Sequence, residues 1–163
     1  MKNFIQQKSK RITLTLSAVL SVLLLGSCDR GDDDDTSTGN NYKVTVTIPN
    51  VEATHNNALD DYVSFIVGGA TENVGESTIW KLNGEEMTGQ NVVGLDEDDF
   101  EGATKTYVFE STKKLLTMST KVQIINNNAP ISIYYKIEKN GNTEVEQNVT
   151  LQDDEDHTKQ YTF

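Results

Sequence analysis

From residue 42 onward the chain alternates. "YKVTVTI" (42–48) sets Val44, Val46 and Ile48 on one side of an extended backbone and Lys43, Thr45 and Thr47 on the other. Successive side chains of a strand point to opposite faces, so this period of two builds a sheet with one apolar and one wet face and does not suit an amphipathic helix. The period recurs in "LLTMSTKVQII", where Leu116, Met118, Thr120, Val122 and Ile124 share a side. "ISIYYKIEKNGNTEVEQNVTL" is the clearest hairpin: Ile131, Ile133, Tyr135 and Ile137 precede Asn140-Gly141, and Val145, Val149 and Leu151 follow it. Asn-Gly favours a type I′ turn because both central residues need positive φ. A second such pair, Asn83-Gly84, sits inside "TIWKLNGEEMTG". "DYVSFIVGG" is apolar nearly throughout, which predicts a central strand ending at a glycine pair. "TKTYVFES" alternates around Tyr107 and Phe109, and "KQYTF" supplies a last short strand with Tyr161 and Phe163. About eight strands and no helical period predict an all-β domain over 42–163, an antiparallel β-sandwich.

Trp80 shares parity with Leu82, which turns it toward the core. A core Trp on a third strand followed by "LNGE" resembles the Ig-like and PKD-like modules, and the resemblance implies an Ig-like sandwich. The cysteine pair of immunoglobulin domains is absent. The chain has one cysteine, Cys28. No intramolecular disulfide can form, so the fold rests on its core.

The first 41 residues have a different composition. "MKNFIQQKSKR" is a basic leader, and "ITLTLSAVLSVLLL" (12–25) is an apolar run of 14 residues. A spanning helix needs about 20 residues, so the run predicts a secretory signal instead. "LGSC", Leu25 to Cys28, resembles the lipobox of bacterial lipoproteins. The resemblance implies cleavage between Ser27 and Cys28, a diacylglyceryl group on the Cys28 thiol and acylation of its new amine. Each buried CH₂ contributes about 0.8 kcal/mol, so two or three chains make a lasting membrane anchor. The organisation predicted is a lipoprotein signal peptide over 1–27, the lipidated Cys28 with an acidic flexible linker over 28–41, and the sandwich over 42–163.

"DRGDDDDTSTGNN" (29–41) has no aliphatic residue, and its adjacent carboxylates keep such a linker extended. The acidic run also resembles the export signal of Bacteroidota lipoproteins, carried here by Asp29, Asp32, Asp33, Asp34 and Asp35. That resemblance implies an outer-membrane location exposed at the cell surface.

Four of the 14 basic residues fall before Asp29 and none of the 25 acids does, so the mature body is more acidic than the net charge of −11. Such a body repels phosphate backbones, which disfavours nucleic acid. No GxSxG, P-loop or dinucleotide fingerprint occurs. The two histidines, His55 and His157, lie in polar surroundings without zinc-type spacing and are expected on surface loops. No enzyme is predicted. No cofactor is predicted: the two acidic clusters, "DEDDFEG" and "DDED", do not match the D-x-D-x-D-G calcium loop and read as solvated loop acid, with calcium, which takes six to eight hard oxygens, as the alternative. Asp96, Asp98 and Asp99 are the first candidates. The function expected is a non-catalytic interaction module, lipid-anchored to the membrane, for a glycan or an envelope protein. The alternatives are an accessory subunit of an outer-membrane assembly and a small hydrolase.

Overall fold

A computed structural model describes residues 38–49, 61–100, 103–127 and 130–163. They belong to the second of two compact units, Thr36–Phe163. Ten strands occur among the described residues: β1 (Tyr42–Ile48), β2 (Tyr62–Ala70), β3 (Trp80–Leu82), β4 (Glu85–Glu86), β5 (Val92–Asp96), β6 (Lys105–Ser111), β7 (Thr117–Ile125), β8 (Ile131–Lys139), β9 (Asn142–Leu151) and β10 (Asp156–Thr162). A 3-10 turn, Glu97–Phe100, joins β5 toward β6. The strands form two antiparallel sheets, ordered β4-β3-β6-β1-β8-β9 and β10-β7-β2-β5. The molecule is the predicted all-β sandwich.

The alternation decides the layering. Val44, Val46, Ile48, Ile131, Ile133, Tyr135 and Ile137 are all buried on the inner face of the first sheet, and Met118, Thr120, Val122 and Ile124 on that of the second. Phe65 of β2 bridges the layers, 6.0 Å from Phe109 and 6.2 Å from Tyr135 by ring centroids. Trp80 is fully buried as its parity requires, and its Nε1–H donates to the Asn91 carbonyl at 3.2 Å. Each such fully buried large side chain contributes about 1.5–3 kcal/mol. Both Asn-Gly pairs are I′ hairpins, with φ of 51° and 87° at Asn83-Gly84 and 52° and 80° at Asn140-Gly141.

The structure departs from the expectation in four places. β5 is a strand the sequence did not announce. β2 is central in its sheet, yet only one face is covered: Tyr62 is 41% and Ile66 36% exposed. Leu116 has inward parity but lies just before β7 and is half exposed. β10 starts at Asp156, earlier than "KQYTF", and takes His157 onto a strand.

Candidate functional site

Two acidic loops far apart in sequence meet at one end of the sandwich. Asp96 closes β5 opposite Ser64, near the start of β2. Asp156 opens β10 opposite Ile125, which itself pairs with Tyr62, the first residue of β2. The acids of 96–99 and of 153–156 therefore share a pole. The chain enters the body at the other pole. Asn40 exchanges backbone hydrogen bonds with Leu115, and the Leu116 N–H donates to Ala70, the last residue of β2. At about 3.3 Å per residue the length of β2 separates the poles by about 26 Å.

Local hydrogen bonds shape both loops. The Asp99 Oδ2 accepts the Asp96 N–H at 2.9 Å, and the Asp96 Oδ1 accepts the Asp98 N–H at 3.2 Å. Short carboxylate side chains commonly turn the chain in this way. Phe100 plugs the core beneath them, edge-on to Tyr107 at 5.3 Å, and the Tyr107 hydroxyl donates to the Asp99 carbonyl at 2.7 Å. Burial, then the Asp99 charge, raises the pKa of that phenol. In the second loop the Gln152 N–H donates to the Glu155 Oε2 at 2.7 Å, and Asp154 takes a left-handed φ of 62°. Buried amide and carboxylate groups fasten this pole from below. The Asn126 Nδ2 donates to the carbonyls of Leu151 and Gln152, and the Asp61 Oδ1 accepts the Asn127 N–H at 2.6 Å.

Asp96, Asp98 and the acids 153–156 are exposed, while Asp99 is half-buried. No three His, Cys, Asp or Glu side chains converge on a point that could hold a metal ion among the described residues. The pole is a charged surface, and as placed it does not fit a closed calcium cage, which takes six to eight oxygens. Its field favours cations and positively charged partners.

Cys28, Asp29, Asp32, Asp33, Asp34, Asp35 and His55 lie outside the described residues. His157 is not on a loop. It faces the space between the sheets, with its Nε2 3.2 Å from the Tyr135 hydroxyl, which lies 3.0 Å from that of Tyr161. Burial, then the Lys159 charge, lowers the His157 pKa. Burial and the Tyr161 hydroxyl raise that of Tyr135. The parity of His157 with Tyr161 and Phe163 was the available signal, obscured by the Thr, Lys and Gln between them.

The outer face of the six-stranded sheet carries a row of alternating charge, Lys81, Glu110, Lys43 and Glu138, in register across β3, β6, β1 and β8. Lys43 and Glu110 pair at 3.3 Å. The row lines a shallow cleft of about 370 Å³ beside Asn41. Its charges neutralise one another, so it knits the sheet and draws no net counter-charge. Tyr134 shares this face, its hydroxyl donating to the Glu146 Oε1 at 3.0 Å.

No family model matches the chain, and neither does any curated protein. Solved structures do. A domain of unknown function, DUF4425, from Bacteroides vulgatus superposes with a TM-score of 0.53 at 13% identity, covering 79% of this chain and 96% of that one. A DUF4425 family protein from Bacteroides ovatus gives 0.52 at 11%, covering 77% and 95%. The calcium-bound form of a protein from Parabacteroides distasonis gives 0.52 at 16%, covering 78% and 98%. The chain shares its fold with these domains. The DUF4425 likeness extends over nearly their whole length, and at these identities it is a likeness of fold.

Proposed function

We propose that the protein is a lipid-anchored lipoprotein of the outer membrane, exposed at the cell surface, whose sandwich is a non-catalytic interaction module. Cys28 carries the lipid, and Asp29 with Asp32 to Asp35 direct export. The single observation that carries the binding role is the polarity of the body: the chain enters at the Asn40 pole, and the acidic loops gather at the other. The acidic pole is the one remote from Asn40, and its sign selects a positively charged segment of an envelope protein over a neutral glycan. The fold shared with Bacteroides and Parabacteroides domains agrees with the acidic run after Cys28.

Whole cells labelled with a palmitate analogue test the anchor. The native chain takes label, sediments with membranes and is shaved by external protease. Cys28→Ser is unlabelled and leaves the membrane fraction. Retention of the variant in the membrane would falsify the reading. Crosslinking on native cells then tests the role: Asp96→Asn with Asp98→Asn weakens capture of the partner if the acidic pole is the contact.

Calcium is a second reading of that pole, favoured by the calcium-bound domain of the same fold. Asp96 and Asp99 already hold backbone N–H groups. Their other carboxylate oxygens stay available, but exposed acids without a closed cage place affinity at the weak, extracellular end of about 10⁻⁴–10⁻³ M. Titration with calcium followed by amide NMR shifts at 96–99 and 153–156 decides it. An unchanged spectrum at 10 Kd of that range, roughly 10 mM, removes calcium from the account.

A further inference from the structure

Each sheet of the sandwich has two edges, and three of the four are blunted. β4 is two residues long, and β5 is five with Gly94 at its centre. β10 places Lys159 opposite the buried Val122, so a charge points inward along that edge. Shortness and inward charge are the devices that keep sheet edges from pairing. β9 has neither. It is ten residues long, contains no Pro, Gly or Lys, and among the described residues pairs only with β8.

β9 also overhangs. Tyr135 of β8 lies 6.0 Å from the His157 ring and 6.2 Å from that of Tyr161, so β8 is stacked on β10, the last strand of the facing sheet. β9 lies one strand further out. On its inner side Leu151 is buried, Val145 and Val149 are half-covered and Gln147 is exposed.

We propose that β9 is the seam of a homodimer, in which two copies pair β9 to β9 antiparallel and merge their six-stranded sheets into one. The occupant is a second copy because the strand is complementary to itself. A bulge at Glu144 leaves a regular stretch of seven residues, Val145–Leu151. Opposed residues of an antiparallel pair share a face, so the twofold axis must pass through a residue. The axis that pairs the whole stretch passes through Asn148. It sets Val145 against the partner copy's Leu151 and Gln147 against its Val149, closing the half-covered inner side. On the outer side the one charged residue of the stretch, Glu146, meets Thr150, so no carboxylate opposes another. Asn148 meets its own counterpart, and the two amides can hydrogen-bond.

Single thiols in the full chain test the seam, with Cys28→Ser removing the native one. Asn148→Cys, treated with a short bis-maleimide, gives a covalent homodimer at least about tenfold more readily than Thr106→Cys on the open sheet face, because opposed Cβ atoms lie about 5 Å apart. Adding Gln147→Lys sets two ammonium groups on a diagonal of about 7–8 Å beside the axis and lowers that yield about tenfold. A thermal melt shows that the Lys variant still folds. Equal yields from Asn148→Cys and Thr106→Cys, indifference to Gln147→Lys, or coupling to a different protein in place of a second copy each overturn the proposal.

Discussion

His157 stays neutral in the folded protein to lower pH than a free imidazole, because burial and the Lys159 ammonium both oppose its charge. Unfolding returns the ring to the ordinary 6.5. Between the folded value and 6.5 the unfolded chain therefore binds more protons than the native one. This contribution to stability is complete above about pH 6.5 and declines as the pH falls through that window. Urea midpoints at pH 7.5 and 5.5 should show the native chain losing stability, with a shallower loss for His157→Gln. Tyr135→Phe should cost about 1–2 kcal/mol at neutral pH, since it deletes a buried hydroxyl bonded to two neighbours. A denaturation curve indistinguishable from the native one would contradict that network.

At the level of elements, the Asn140-Gly141 turn does more than reverse the chain. The Asn140 Oδ1 accepts the Asn41 N–H at 2.9 Å, its Nδ2 donates to the Asn40 Oδ1 at 2.7 Å, and its own N–H donates to the Asn41 carbonyl. The turn thus clamps the segment leading into β1. Asn140→Ala removes both side-chain bonds and strains a position held at a φ of 52°, so it should destabilise the body by about 1–2 kcal/mol. It should also speed amide exchange at Asn41, which hydrogen-exchange NMR can measure. The two Asn-Gly hairpins, the inward parity of β1, β7 and β8, and the placement of Trp80 were legible from the sequence because turn chemistry and a period of two are local. β5 was not. Val92 and Val93 are followed by Gly94 and then by acids, so five residues offer too little alternation to stand apart from a loop. The meeting of the two acidic loops was illegible for a different reason: it depends on β2 lying between β5 and β7, a pairing over long separations that no local pattern records. His157 fell between these cases, with correct parity in a segment too polar to read as a strand.

The molecule as a whole carries a net charge of −11, and eight of its 25 acids, 96–99 and 153–156, lie at one pole. Self-repulsion there destabilises the compact state, and salt screens it over a length that shrinks from about 30 Å at 0.01 M to about 8 Å at 0.15 M. Thermal melts should therefore shift upward by a few degrees across that range, and Asp98→Asn combined with Asp154→Asn should flatten the response. A melting temperature that ignores salt would mean that the acids are already locally compensated.

At the pole away from those acids, Phe163 exchanges backbone hydrogen bonds with Met118, and its ring lies 6.2 Å from that of Tyr42. β1 thus begins where β10 ends, and the stretch from Asn40 to Phe163 traces a nearly closed loop. A short bridge from Phe163 back to Asn40 would complete that loop. The fresh break could then fall at the Val74 bend, which is wholly solvated, with every strand kept whole. In topological terms, the architecture of the sandwich belongs to the ring, and the point at which β1 begins is incidental to it.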